Sequence, residues 1–187
     1  MTKPDMLTAA LEYAEDGWPV FPVRHDKTPY TPNGVLDATT DRKKIRKWWE
    51  KYPGANIAVN CGEAGLLVLD YDPGSDIDNT RDAVGDLPDT QLVARTPRGG
   101  AHHYYELDES DPPVSISSGR IAPHVDVRSF HGYVLLPPSR TADGEYTWEQ
   151  DGQPRYRSAD LIDACGRARD KHKNRDDWAI DPDLPGS

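Results

Sequence analysis

The chain has 187 residues, 36% of them apolar, which suits one domain of ordinary size, alone or with a tail. Its 32 acidic and 22 basic residues leave a net charge of −10, which taken alone argues against a general nucleic-acid binder. No apolar run is long enough to span a membrane, the start Met1–Asp5 is too polar for a signal peptide, and the lone cysteines Cys61 and Cys165 form no CxxC zinc site. A reduced, cytoplasmic protein is therefore expected.

Residues 5–16 read as an amphipathic helix, with Leu7, Ala10, Leu11 and Ala14 on one stripe and Gly17 as its stop. WPVFPV (18–23) is extended, and its prolines suit an edge strand. A long loop rich in turn residues follows over 28–39. A second helix starts at Thr40 or Asp41 and runs to about Lys51, with Ile45, Trp48, Trp49 and Tyr52 as its stripe. Trp48 and Trp49 read as core packing; the other reading is base stacking, with Lys44 and Lys47 for the backbone.

NIAVNC (56–61) and LLVLDYD (66–72) read as strands, and 79–85 as a weak helical stretch. Strand-like runs then follow at 91–96, 101–107, 125–129, 133–138 and 145–149. The PPS run at 137–139 is expected to fix a rigid turn. Ser158 is expected to cap a last helix reaching about Lys171, and a polar, Pro-rich tail starts at Asn174. Strands in the middle with helices on either side predict an α+β sheet domain.

Positive charge is local. Arg42, Lys43, Lys44, Arg46, Lys47 and Lys51 crowd one segment. Arg95, Arg98, Arg120 and Arg128 share another with His102, His103, His124 and His131. The acid excess, mostly Asp, is equally consistent with adaptation to high salt and with genome composition.

Asp70 and Asp72 end an apolar strand one residue apart, so they share a face at roughly 7 Å and repel unless a cation sits between them. The plain alternative is a solvated strand end turned by Asp-Pro-Gly. Asp126 lies between Val125 and Val127, where an acid is costly unless it is exposed or ligated. If the two strands are neighbours, three carboxylates converge, an oxygen-only set suited to Mg²⁺ or Mn²⁺. Two such ions serve nucleotidyl transfer. In TPRGGAHHYY (96–105), Gly99 and Gly100 allow close backbone approach and would turn amides toward phosphate, with Arg98 and His102 adding donors. A plain hairpin turn is the alternative there. The histidine beside the Gly-Gly turn is expected between two acidic strands.

The order GWPVFPV, KTPYTPNGVLDATTD, WW, ANIAVNCGEAGLLVLDYD, TPRGGAHHYY, VDVRSFHGYVLLPPS, YTW resembles the bifunctional DNA primase/polymerase family of plasmid and viral replication proteins, within the archaeo-eukaryotic primase superfamily. The resemblance covers roughly residues 7–150. It implies an archaeo-eukaryotic primase fold with an RRM-like sheet and flanking helices. Asp70, Asp72 and Asp126 are implied as holders of two catalytic Mg²⁺ or Mn²⁺ ions. Gly99, Gly100, His102 and Tyr104 fall on the family's GGxHxY pattern, so His102 takes the triphosphate role, with Arg128, Arg98 and Lys27 as further nucleotide contacts. Arg98 stands where the family commonly has Ser, the first motif is DxD where some members have DxE, and no zinc-bearing insertion is present.

The implied partners are a single-stranded DNA template and primer, deoxy- or ribonucleoside triphosphates, and a helicase domain or protein, with no membrane. The implied division is a catalytic domain over 1–157, a helix over 158–173 and a tail or linker over 174–187. Two other readings stand beside this one. A rolling-circle replication initiator would cut DNA with a tyrosine, but it binds metal through an H-x-H pair, whereas His102 and His103 are adjacent and Tyr104 and Tyr105 follow on the same strand. A catalytically silent DNA-binding module is opposed only by the three intact acids.

Overall fold

The computed structural model describes residues 5–170 of the chain. Helix α1 (Met6–Glu15) starts at Asp5, whose carboxylate accepts from the Thr8 amide at 3.3 Å. Strand β1 (Val20–Val23) follows, then a 3₁₀ turn (Gly34–Asp37) and helix α2 (Arg42–Lys51). Asp41 caps α2 by accepting from the Lys43 amide at 2.8 Å and the Lys44 amide at 3.4 Å. Strands β2 (Asn56–Asn60) and β3 (Leu66–Tyr71) lead to helix α3 (Ile77–Val84). This helix is capped by Asp76, the signal that moves its start two residues before the expected 79.

Next come β4 (Leu92–Arg95), β5 (Ala101–Glu106), β6 (Ser117–Ser118), β7 (Val125–Arg128) and β8 (Tyr133–Leu135). A small hairpin of β9 (Arg140–Thr141) and β10 (Gly144–Glu145) precedes β11 (Thr147–Asp151), β12 (Arg155–Tyr156) and α4 (Ala159–Asp170). The run expected as one strand over 145–149 is split at Tyr146, whose ring is buried while its neighbours start a new strand. Ser158 caps α4 as expected, its Oγ accepting from the Leu161 amide at 3.1 Å. The tail expected from Asn174 lies outside the described residues.

The fold is α+β. The large sheet runs β11-β4-β5-β3-β7-β6, antiparallel throughout, with β12 added parallel to β5. A smaller antiparallel sheet runs β1-β2-β8, with β1 at its edge, where Pro22 is tolerated. The acid-bearing β3 and β7 are direct neighbours. The histidine strand β5 lies on the far side of β3 and not between the acidic strands, because β3 is central and pairs with both.

Central position explains the unbroken apolar run of β3. Alternate residues face opposite sides, and both sides are covered. Leu66 and Val68 pack with α1, with Ile45 and Trp49 of α2, and with Ile57, Val59 and Val134 of the small sheet. Leu67 and Leu69 pack against Val84 of α3 and against Leu161, Ala164 and Cys165 of α4. Full burial of each such side chain contributes about 1.5–3 kcal/mol. The strand end that carries the acids is thereby anchored on both faces. Among the described residues no helix is long and apolar enough to cross a membrane.

Candidate active site

One row of residues crosses the large sheet. Asp70 on β3 is paired with His102 on β5 and, on its other side, with Asp126 on β7. Asp126 is in turn paired with Ser118 on the edge strand β6. Register partners share a face, so these four side chains emerge together on the side of Val68 and Tyr104.

His102 is 4% exposed, and its Nε2 lies 3.3 Å from Asp70 Oδ1. Its ring is held between two tyrosines. Tyr104 lies edge-on beneath it at 6.3 Å between centroids, and Tyr146 lies 5.7 Å away. Tyr104 is itself stacked on Trp18 at 6.0 Å. His102 Nδ1 and the Tyr104 hydroxyl are buried with no hydrogen-bond partner. Burial opposes ionisation of Asp70, but His102, then Arg128 and Lys27, outweigh it and hold the carboxyl below its ordinary value.

Asp126 is held on both oxygens. Oδ1 accepts from Ser118 Oγ at 2.7 Å and from the Gly119 amide at 3.2 Å. Oδ2 accepts from Arg128 Nη2 at 2.8 Å. Asp72 lies just past the end of β3, where its amide donates to the His124 carbonyl at 2.9 Å. Its carboxyl is exposed, yet its pKa is pushed up by partial desolvation first and then by the charges of Asp70 and Asp126. The three acids therefore form one electrostatic cluster.

The β4–β5 turn places the glycines. A Cβ on Gly100 would lie 2.2 Å from the Tyr71 carbonyl oxygen, so only glycine lets this turn close on the end of β3. The glycine amides do not point out as phosphate donors. Gly99 N–H donates to the Thr96 carbonyl at 3.0 Å and Gly100 N–H to Thr96 Oγ1 at 3.1 Å, both consumed in closing the turn. Arg98 is exposed at its tip. Lys27 sits in a separate turn with φ +72°, fixed where its amide donates to the Arg24 carbonyl at 2.9 Å and its carbonyl accepts from Tyr133 Oη at 3.2 Å. Its charge favours the ionised forms of Asp70 and Asp72.

Sequence reasoning missed two residues. Ser118 fixes Asp126; its Ser-Gly pair gives a turn signal only, and a two-residue strand has no readable periodicity. Tyr146 is buried beside His102, and its hydroxyl pKa is pushed up by burial first and then by Asp70, Asp143 and Asp72. Cys61 is no nucleophile, since burial pushes its thiol up to about 12.

An all-oxygen donor set with this much mutual repulsion suits hard divalent cations. Among the described residues no three His, Cys, Asp or Glu side chains are already arranged to hold one. The geometry gives the reason: Asp70 is turned to His102, and Asp126 to Ser118 and Arg128.

A family model described as "Bifunctional DNA primase/polymerase, N-terminal" matches residues 10–161. No curated protein matches the chain.

Proposed function

The chain belongs to the bifunctional DNA primase/polymerase N-terminal family, and from that premise we propose that it carries out template-directed nucleotidyl transfer in DNA replication at the row formed by His102, Asp70 and Asp126. The observation that carries this reading is the register. Two acids from separate motifs stand opposite each other, with a histidine on one flank and an arginine beside the other acid. Asp70, Asp72 and Asp126 would hold two Mg²⁺ or Mn²⁺ ions, which when bound activate the primer 3′-hydroxyl and neutralise the leaving pyrophosphate.

The protein's own groups bind and orient. His102 Nε2, fixed by Tyr104 and Tyr146, is placed to donate to a phosphate oxygen. Arg128, paired with Asp126 at 2.8 Å, would be free to turn to the triphosphate if that carboxylate held a metal ion. Lys27 adds positive charge that acts on both Asp70 and Asp72. In the transfer, the 3′-hydroxyl gives up its proton to solvent as a bond forms between the 3′-oxygen and the α-phosphorus. The bond from that phosphorus to the bridging oxygen breaks, and pyrophosphate leaves.

A tyrosine-dependent initiator is disfavoured by burial. Tyr104 is 0% and Tyr105 1% exposed, so neither can reach a DNA phosphate. The experiment is a primer-extension assay on a primed single-stranded template with a titration of Mg²⁺ and Mn²⁺. A polymerase lengthens the primer, an initiator leaves a covalent protein–DNA adduct, and a silent binding module does neither.

A further inference from the structure

Helix α2 is charged beyond what its fold needs. Its ten residues, RKKIRKWWEK, hold six cations and one acid, within a chain of net charge −10. Ile45 and Trp49 face the core and are 0% and 2% exposed, while every cation of the helix is exposed. Like charges four apart repel on a helix surface, as Arg42 with Arg46, Lys43 with Lys47, and Lys47 with Lys51 do here. Among the described residues its one ion pair is Arg42 to Glu15 at 3.6 Å, exposed at both ends. Such a face is stabilised by a polyanion.

A second observation identifies the kind of polyanion. Three of the four cation–aromatic pairs among the described residues gather on this side of the molecule. Lys44 Nζ lies 4.8 Å over Trp48, Lys51 Nζ 5.2 Å over Tyr52, and Arg24 Cζ 4.3 Å over Tyr30. Tyr30 and Tyr52 are themselves stacked at 4.1 Å. Trp48, Tyr52 and Tyr30 are half-buried, each with one side packed on the core. Cations interleaved with rings suit a single strand, whose phosphates meet the charges and whose unpaired bases stack. A duplex hides its bases, and an acidic peptide has no use for the rings.

The same surface leads to the site. Arg24 opens the turn that carries Lys27, with the Arg24 amide donating to the Thr28 carbonyl at 2.8 Å. Lys27 stands close enough to Asp70 and Asp72 for its charge to act on both. We propose that the exposed face of α2, together with Trp48, Tyr52, Tyr30 and Arg24, grips the single-stranded DNA template that feeds the acidic row. This rests on the polymerase reading and adds to it the place where the template is held.

The test is fluorescence anisotropy of a labelled oligothymidylate over a series of salt concentrations, with primer extension measured on the same preparations of the full chain. The variants are the triple K43Q/K47Q/K51Q and, separately, Trp48→Leu, which keeps apolar packing and removes the ring. Each neutralised contact should lower the salt slope by about 0.7, so the triple variant should lose about 2 from the slope of log K against log salt. It should bind at least tenfold more weakly at low salt, with dNTP binding unchanged. Trp48→Leu should weaken oligothymidylate at least fivefold while leaving binding to an abasic strand unchanged. Wild-type extension together with unaltered strand binding by both variants overturns the proposal and leaves the polymerase reading intact. A wild-type chain that extends no primer and binds no strand removes both. Tighter binding of a poly-glutamate peptide than of the oligonucleotide assigns the face to an acidic protein and overturns the proposal.

Discussion

Asp70 and Asp126 stand directly opposite each other on adjacent antiparallel strands. At that position Cβ atoms are about 4.5–5.5 Å apart, and like charges destabilise the pair. The sheet keeps them there by placing a partner beside each, the His102 ring on Asp70 and the Arg128 guanidinium on Asp126. Both are groups able to hand their attraction to a phosphate. The site is thus a self-paired form of the arrangement proposed to bind nucleotide.

That view separates the two adjacent histidines. His102 shares the face of the acids, whereas His103 lies on the other face, 4.7 Å from the Tyr71 ring. A charge-assisted hydrogen bond contributes about 1.5–3 kcal/mol, so His102→Ala and Arg128→Gln should each weaken dNTP binding by about 10- to 100-fold. His103→Gln should leave it near wild type. Isothermal titration with a dNTP checks this, and a larger loss at His103 would move the motif by one residue.

His103 should instead set a pH dependence of stability. Burial lowers its pKa from the ordinary 6.5 to about 4. Below about 6.5 the unfolded chain takes up a proton that the folded chain refuses until about 4. Stability is therefore lost as pH falls through that window. Thermal melts of His103→Gln should show a shallower decline between those two values than wild type.

Asp72 has the opposite sign. Its folded pKa is raised, so the ionised carboxylate costs stability that is regained as pH falls through the raised value and is fully regained below the ordinary 3.8. Asp72→Asn should melt slightly above wild type at neutral pH in the presence of chelator, and the difference should vanish in acid. A lower melting point at neutral pH would show that Asp72 feels no repulsion from the other two acids.

Gly100 tests the closure of the turn on β3. With a Cβ 2.2 Å from the Tyr71 carbonyl oxygen, Gly100→Ala must move backbone. Overpacking of this kind costs about 1–3 kcal/mol, or about 2–4 °C in Tm per kcal/mol for a chain of this size. Extension should fall with it, because the shift begins one residue from Asp70. A melting curve and an extension assay on the variant check both effects.

The central strands were legible because their chemistry is local. Leu66–Leu69 announce a buried strand, and Val125 and Val127 bracket Asp126 in strict alternation. Helix α1 was legible through its apolar stripe and the Gly17 stop, and α2 and α4 through the caps Asp41 and Ser158. Strand order was not, since nothing local places β3 between β5 and β7. The glycine amides were misjudged because Thr96, which accepts from both, looks like any strand-end residue. The apolar stripe at Trp48 shows only half of its role, since the ring packs on the core with one side and carries Lys44 on the other.

Ser118 should act through Asp126. Its Oγ holds Oδ1 at 2.7 Å, and loss of such a supporting contact costs about 10- to 100-fold in metal affinity or activity. Ser118→Ala should raise the Mn²⁺ concentration needed for half-maximal extension while Tm stays near wild type, since Ser118 is exposed. Rescue by Ser118→Thr would confirm a hydroxyl role, and an unchanged Mn²⁺ requirement would exclude it.

The most direct measurement is extension of a primed single-stranded template by the wild-type chain and by Asp126→Asn, with Mn²⁺ titrated and folding checked by circular dichroism. Mn²⁺-dependent extension by wild type is the expected result. A loss of at least 100-fold is expected in Asp126→Asn with the fold retained, because the substitution nearly keeps shape while it removes the carboxylate charge a divalent ion needs and one of the two oxygens that accept from Ser118 and Arg128. Near-wild-type extension by Asp126→Asn, or extension by wild type in the presence of chelator, would contradict these expectations.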